Sequence, residues 1–143
     1  MNPELNQRTN GASSQSTLIV VVDDEPMVGE LVQTIFALEG LDSKVYQDPI
    51  AALQELKGWA GPPALLLTDF RMPGMNGMEL IQGAKTRFPE LKTVLFSGNV
   101  DESIQSEYPL HADAFIRKPF YPNLLLDTVR KVLKDGGAGR AQP

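Results

Sequence analysis

Short apolar runs alternate with helix-like periods through the middle of the chain. There are five such runs, and several of them are apolar at consecutive positions, a pattern typical of strands that are covered on both faces of a parallel sheet. The strands predicted in this way are residues 18–22, 44–46, 64–67, 93–96 and 114–116. The pattern therefore predicts a central sheet with helices packed against both of its faces.

Apolar residues at helical spacing fill the segments between these strands, and most segments begin with a helix start signal. Pro26 and Pro122 are suited to the first turn of the first and fifth helices. Asp48 followed by Pro49 can start the second helix, and Asn76 can cap the third. The residues predicted on the apolar stripes are Val28, Leu31, Val32, Ile35 and Leu38, then Ile50, Leu53 and Leu56, then Leu80, Ile81, Ala84 and Phe88, and finally Leu125, Val129, Val132 and Leu133.

The fourth predicted helix is the least regular of the five. Asn99 or Asp101 can start it, and Pro109 must end it early because proline cannot donate the helical hydrogen bond. Five strands alternating with five helices predict an α/β fold with right-handed crossovers and a doubly wound parallel sheet. We expect one domain at residues 17–134, with disordered tails at 1–16 and 135–143 because both ends lack an apolar period.

Composition excludes several classes of protein. The chain has no cysteine, so disulfides and cysteine-ligated zinc are excluded, and its one histidine, His111, excludes motifs that need two. The longest apolar run, 18–22, is far too short for a bilayer span. Residues 1–16 show no secretory signal pattern, so we expect a cytoplasmic protein. The net charge of −5 argues against direct contact with nucleic acid, which requires a basic face.

Carboxylates follow two of the predicted strands at the point where each strand ends. Asp23 and Asp24 come after the first strand, and Asp69 comes after the third. Because the carboxyl ends of parallel strands share one edge of the sheet, these groups are expected to converge there. Clustered carboxylates repel one another, and a hard divalent cation such as Mg²⁺ relieves that repulsion. A simpler interpretation of Asp24 alone is that it only caps the first helix.

A hydroxyl and an ammonium complete the expected group at this edge. Ser97 ends the fourth strand and Lys118 follows the fifth. A lysine can neutralise phosphoryl oxygens, and a serine can donate a hydrogen bond to one of them. A carboxylate such as Asp69 can carry phosphate as an aspartyl phosphate. The combination predicts phosphoryl transfer chemistry.

Four segments together resemble the response-regulator receiver domain of two-component, or phosphorelay, signalling. They are VVVDDEP at 20–26, LTDFRMPGMNG at 67–77, LFSG at 95–98 and FIRKPF at 115–120. The similarity covers residues 18–133, and segment 95–99 is similar to receivers attached to hybrid histidine kinases. The resemblance implies a flavodoxin-like (βα)5 three-layer sandwich whose five-stranded parallel sheet has the order 2-1-3-4-5.

The resemblance also implies a role for each group at the sheet edge. Asp69 would be the phosphoacceptor, and Asp23 and Asp24 would organise Mg²⁺. Asp24, Asp69 and the backbone carbonyl of Arg71 would be the direct ligands. Lys118 would pair with the phosphoryl group, and its peptide bond to Pro119 would be cis.

The resemblance further implies a conformational switch. Ser97 would move to the phosphoryl group and Phe115 would turn inward, reshaping the face of the fourth helix, fifth strand and fifth helix. Arg71 and Asn99 would flank the path of attacking water. The implied partners are a sensor histidine kinase or histidine phosphotransfer protein, and a downstream target protein or attached domain.

Two other classes of function remain open from the sequence. One is a phosphatase or phosphotransferase similar to the haloacid dehalogenases, although its nucleophile would lie on the first strand and its acid two residues later. The other is a receiver-shaped module that binds partners without being phosphorylated. The resemblance favours a signalling switch that catalyses only its own phosphorylation and dephosphorylation.

Overall fold

The computed structural model describes residues 17–98 and 112–135, which form five strands and four helices. The strands are β1 (Ile19–Val22), β2 (Ser43–Tyr46), β3 (Leu65–Asp69), β4 (Thr93–Ser97) and β5 (Ala114–Arg117). The helices are α1 (Pro26–Leu38), α2 (Pro49–Lys57), α3 (Gly77–Arg87) and α4 (Pro122–Asp135). Helix α4 is the fifth helix of the sequence prediction. The predicted fourth helix, His111 and the predicted tail at 1–16 lie outside the described residues. Of the predicted tail at 135–143, residues 136–143 also lie outside them, whereas Asp135 is the last residue of α4.

The strands form one parallel sheet in the order β2-β1-β3-β4-β5, which confirms the predicted order 2-1-3-4-5. Val22 at the end of β1 pairs with Thr68 on β3. Asp69 pairs with Phe96 on β4, and Ser97 pairs with Arg117 on β5. The carboxyl ends of these four strands therefore meet at one edge of the sheet.

Two apolar clusters cover the two faces of this sheet, so the predicted three-layer α/β sandwich is confirmed. The cluster beneath α2 and α3 includes the strand residues Val20, Val22, Leu66 and Leu95. The cluster beneath α1 and α4 includes the strand residues Ile19, Val21, Leu65, Leu67, Val94, Phe96 and Ile116. Because successive strand residues point to opposite faces, burial on both sides requires apolar residues at consecutive positions.

The predicted helix starts are confirmed at all four described helices. Pro26, Pro49 and Pro122 each begin a helix. The Asp48 carboxylate accepts a hydrogen bond from the Ile50 amide at 3.0 Å. Asn76 caps α3 in a reciprocal capping box with Glu79, with both hydrogen bonds at 2.9 Å. These side chains satisfy amide groups that a helix start would otherwise leave without partners.

The prediction for the buried side of α1 was wrong at two positions. Leu31 and Leu38 are 52% and 79% exposed, whereas Gly29 and Phe36 are buried. The helix packs tightly on β2, since a Cβ atom on Gly29 would lie 2.6 Å from Val45 Cγ1. This close approach places the Gly29 side of the helix against β2. Because glycine has no apolar side chain, the hydrophobic pattern gave no signal for this orientation.

A similar correction applies to α2. Ile50, predicted inward, is 43% exposed, while Ala52 and Leu56 are fully buried.

Among the described residues, no helix has both the length and the apolar character that crossing a membrane requires.

Candidate functional site

A cleft of about 300 Å³ lies at the carboxyl edge of the sheet. Its walls come from the ends of β1, β3 and β4 and from the loop that follows β5. The lining residues are Asp24, Glu25, Asp69, Phe70, Arg71, Ser97, Gly98 and Lys118. Groups that are far apart in sequence therefore converge where the strand order places them.

Three carboxylates are close enough at this edge to share one metal ion. One oxygen from each of Asp23, Asp24 and Asp69 lies within 4.8 Å of the others. Asp23 is fully buried and Asp69 is 8% exposed. Oxygen-only donors grouped in this way suit a hard divalent cation, which would relieve the repulsion among them.

Lys118 links two of these carboxylates. Its Nζ donates to Asp23 Oδ2 at 2.9 Å and lies 3.3 Å from Asp69 Oδ1. Nζ also lies 3.6 Å from Glu25 Oε1 at the exposed side of the cleft. The ammonium is thus held among three acidic side chains.

Burial and charge shift the two central groups of the site. Burial, together with the neighbouring Asp23 charge, raises the pKa of Asp69 to about 6, although Lys118 opposes the shift. Burial alone would lower the pKa of Lys118, but its hydrogen bond to Asp23 and the charges of Asp23 and Asp69 raise it above 10.5. At neutral pH the site therefore holds a carboxylate whose charge is poorly compensated beside a firmly protonated lysine.

The simple capping interpretation of Asp24 was wrong. Glu25 is the N-cap residue of α1, and it makes no side-chain capping hydrogen bond. The Asp24 side chain contributes instead to the cleft and to the carboxylate cluster. Asp23 Oδ1 accepts a hydrogen bond from the Glu25 amide at 2.9 Å, which fixes the carboxylate at the end of β1.

The loop from β3 to α3 brings a helix start against the end of β3. Gly74 has a φ of +87°, a conformation that favours glycine in a tight turn. The Gly77 amide donates to the Phe70 carbonyl at 2.8 Å. A Cβ atom on Gly77 would collide with the backbone carbonyl of Asp69 and lie 2.7 Å from Leu95 Cδ1. Glycine at 77 therefore permits the approach that fixes Asp69 in position.

The remaining predicted site residues that the structure describes lie on β4 and β5 and in the loops that follow β3 and β5. Ser97 is 5% exposed and lines the cleft. Phe115 is partly buried and packs against the cluster beneath α2 and α3. The Lys118–Pro119 peptide bond is cis, as predicted. Arg71 lines the cleft, while Asn99 lies outside the described residues.

Sequence reasoning gave no role to three residues that contact Lys118 or its loop. Glu25 lies in the segment VVVDDEP, but its approach to Lys118 was not predicted. The Phe96 and Phe120 rings stack with centroids 4.9 Å apart. The signal for this stack in the sequence was Phe120, an aromatic residue two positions after Lys118.

Comparisons with known proteins agree with this geometry. The family model for the response regulator receiver domain matches residues 19–130. DNA-binding response regulator MtrA of Mycolicibacterium smegmatis is 32% identical over 121 residues, covering 81% of this chain and 50% of that protein. The C4-dicarboxylate transport transcriptional regulatory protein DctD of Pseudomonas aeruginosa is 29% identical, covering 82% of this chain and 25% of that protein. The chain thus spans half or less of the length of these two relatives.

Solved structures give the same result. A CheY-like response regulator receiver domain protein of Methanospirillum hungatei superposes with a TM-score of 0.77 at 25% identity, covering 87% of this chain and 98% of that one. The response regulator TrrA of Thermotoga maritima, solved in complex with Mg²⁺-BeF, gives a TM-score of 0.71 at 27% identity, covering 81% and 98% of the two chains. The chain belongs to the response regulator receiver domain family of two-component signalling proteins.

Proposed function

We propose that this protein accepts a phosphoryl group from a phosphohistidine onto Asp69 in the presence of Mg²⁺, and signals through the resulting change of conformation. One observation carries the proposal: a cluster of three carboxylates includes Asp69, and Lys118 reaches that same carboxylate at 3.3 Å. The site thus combines an oxygen nucleophile, a metal-binding group and a cationic donor, which are the components that phosphoryl transfer needs.

The donor set fits Mg²⁺, which prefers carboxylate oxygens and retains several waters. Asp24, Asp69 and the backbone carbonyl of Arg71 would be its direct ligands. Asp23 is less suited to direct ligation because both of its oxygens already accept hydrogen bonds, from Glu25 and Lys118. When bound, the ion would neutralise charge on the acceptor carboxylate and the phosphoryl oxygens.

In the proposed transfer, an oxygen of Asp69 attacks the phosphorus of the phosphohistidine. The O–P bond forms while the P–N bond breaks, and the imidazole leaves with the electron pair of that bond and takes a proton from solvent. Lys118 donates to a phosphoryl oxygen, and Ser97 donates to another. Hydrolysis returns the protein to its unphosphorylated state, because water attacks the phosphorus and Asp69 leaves as the carboxylate.

The switch would connect this chemistry to a surface. Ser97 and Phe115 lie on neighbouring strands, with Leu95 paired to Phe115 and Ser97 paired to Arg117. Movement of the Ser97 hydroxyl toward a phosphoryl oxygen would vacate space into which Phe115 can turn. We propose that this changes the face formed by the predicted fourth helix, β5 and α4.

The partners proposed for this chain follow from its chemistry. A sensor histidine kinase or a histidine phosphotransfer protein would supply the phosphoryl group in the cytoplasm, and a target protein or attached domain would read the switched face. Two relatives are named as transcriptional or DNA-binding regulators. The expectation that this protein does not contact nucleic acid stays a prediction.

Intact mass spectrometry tests the proposed transfer. The purified protein is incubated with phosphoramidate, with and without Mg²⁺, as the wild type, Asp69→Asn and Asp42→Asn. Asp42 is exposed and remote from the cleft, so it is a matched control. We expect one added phosphate in the wild type and in Asp42→Asn only with Mg²⁺, and none in Asp69→Asn. Equal uptake by all three proteins would contradict the proposal.

A further inference from the structure

Lys118 is followed by a short loop in which one side chain packs against the core. Lys118 begins the segment that joins β5 to α4. Pro119 is exposed and Tyr121 is 81% exposed. Phe120, between them, is partly buried and packs against the cluster beneath α1 and α4. Of the residues between Lys118 and α4, Phe120 is therefore the one that can anchor the loop to the core.

The anchor rests on a residue of the central sheet. The Phe120 ring lies parallel to that of Phe96, with centroids 4.9 Å apart and an angle of 5° between the planes. Phe96 is fully buried on β4 and directly precedes Ser97. The Lys118 ammonium lies 5.7 Å from the centroid of the same Phe96 ring. One buried ring thus contacts the loop anchor and faces the ammonium.

We propose that Phe120 is a positioning residue, which holds Lys118 in its working position through the stack on Phe96. This inference rests on the proposed function, since it concerns the counter-charge for a phosphoryl group on Asp69. The Lys118 amide donates to the Ser97 carbonyl at 2.8 Å, which fixes the loop only on the side toward β5. The aromatic stack fixes it on the side toward α4, so the lysine is held between two attachments to the end of β4.

The two attachments matter because lysine is a long and flexible side chain. In the described structure its ammonium is held by ion pairs with Asp23 and Asp69. Those pairs must rearrange when a phosphoryl group arrives, and the backbone of the loop then determines how far the ammonium can move. A small misplacement of a catalytic group lowers the rate steeply.

The first arm of the test measures phosphorylation by saturating acetyl phosphate and Mg²⁺. Phe120→Leu removes the ring and keeps an apolar side chain, Phe120→Tyr keeps the ring, and Tyr121→Leu removes a ring from the exposed neighbour. We expect Phe120→Leu to slow phosphorylation of Asp69 about tenfold. The Mg²⁺ concentration at half-maximal rate should not change, because Asp23 and Asp24 directly follow β1 and Asp69 ends β3, so none of them lies in the loop that Phe120 anchors. Phe120→Tyr and Tyr121→Leu should match the wild type.

The second arm does not depend on phosphorylation. The metal-free proteins are treated with N-hydroxysuccinimide acetate, and acetylation of Lys118 is measured by peptide mass spectrometry relative to the exposed Lys44. Lys118 is 19% exposed and paired, so it should react slowly in the wild type. Phe120→Leu should increase its reaction several-fold, and Phe120→Tyr should restore the slow reaction. Phe96→Leu, which removes the other ring, should have the same effect as Phe120→Leu.

The two arms separate failure of this inference from failure of the proposed function. A wild type that accepts no phosphate contradicts the proposed function, while the acetylation arm still decides whether Phe120 positions Lys118. If Phe120→Leu unfolds, Phe96→Leu carries the acetylation test, with Phe120→Tyr and Tyr121→Leu as its controls. Lys118 acetylation that is unchanged in the ring-removing variants overturns the inference. So does a loss of rate that Tyr121→Leu shares.

Discussion

At the scale of single residues, the site is defined by an imbalance of charge. Asp69 is nearly buried beside the fully buried Asp23, and Lys118 is the one ammonium that the described structure places between them. Burial and the Asp23 charge together raise the pKa of Asp69 to about 6. The metal-free protein therefore carries a destabilising charge in the place where the proposed function needs a cation.

Removal of the Asp69 charge should stabilise the metal-free protein in a pH-dependent way. Above pH 6 the carboxylate is ionised in the folded state and costs stability, and below its ordinary value of 3.8 it is protonated in both states. The difference between these values corresponds to about 3 kcal/mol at most. Asp69→Asn should thus be more stable than the wild type at pH 8 in a chelator, with the gain fading between pH 6 and pH 4. A gain in stability that does not depend on pH would contradict the attribution of this gain to the Asp69 charge.

Removal of the Lys118 charge should have the opposite effect. Lys118→Met leaves Asp23 buried without its ion pair, which should cost about 3–5 kcal/mol in urea unfolding at pH 8. Lys44→Met is the matched control, because Lys44 pairs with Glu55 at 3.4 Å where both side chains are half exposed. That change should cost less than about 1 kcal/mol. Equal losses in the free energy of unfolding of the two variants would contradict the claim that burial of Asp23 makes its ion pair with Lys118 stabilising.

At the scale of elements, the loop from β3 to α3 determines where the Asp69 carboxylate lies. Helix α3 begins at Gly77, against the backbone of Asp69, and its capping box fixes the first turn. Pro73, Gly74 and Asn76 make this turn compatible with the chain that leaves β3. The position of Asp69 therefore depends on how closely a helix start can approach a strand end.

Two glycines of the same helix test this dependence. Gly77→Ala introduces a Cβ that collides with the Asp69 carbonyl, a backbone group that cannot move without moving the Asp69 side chain. We expect a loss of about 1–3 kcal/mol in thermal unfolding and slower phosphorylation. Gly83→Ala meets only the end of the Leu53 side chain at 2.8 Å, so it should be neutral or stabilising by about 0.5–1 kcal/mol. Normal phosphorylation of Gly77→Ala would contradict the proposed constraint.

Elements also show what the sequence can and cannot predict. The strands were predictable because burial on both faces leaves consecutive apolar residues, and helix starts were predictable because proline, Asp48 and Asn76 act locally. The orientation of α1 about its axis could not be predicted in this way, since it depends on the contact between Gly29 and Val45, which are far apart in sequence. Hydrophobic periodicity placed Leu31 and Leu38 inward, but steric fit against β2 decided otherwise.

At the scale of the whole molecule, strand order assembles the site. Because β1 lies beside β3, the carboxylates that end these strands meet without any sequence proximity. Lys118 reaches them from the edge strand across β4, which links the cleft to β5 and α4. Convergence of the carboxylates was predictable from the parallel sheet, whereas the Phe96–Phe120 stack required the actual packing of α4 and its preceding loop.

Metal binding at this assembled edge should stabilise the entire domain. A ligand that binds only the folded state adds stability that grows with the logarithm of its concentration, about 2.7 kcal/mol at one hundred times the dissociation constant. We expect Mg²⁺ to raise the melting temperature of the wild type and of Asp42→Asn. Asp24→Asn should abolish the increase, because it removes a proposed direct ligand. An increase of the same size in Asp24→Asn would place the ion elsewhere.

The central claim is that phosphate is carried by the carboxylate of residue 69, and borohydride reduction of the phosphorylated protein tests it most directly. Reduction converts an acyl phosphate to an alcohol, which peptide mass spectrometry can locate. The tryptic peptide 58–71 contains Asp69 as its only carboxylate side chain, while Asp23 and Asp24 lie in a different peptide. We expect reduction at residue 69, and only in protein that has been incubated with phosphoramidate and Mg²⁺. Reduction confined to another aspartate, or none in a protein that has gained phosphate, would contradict it.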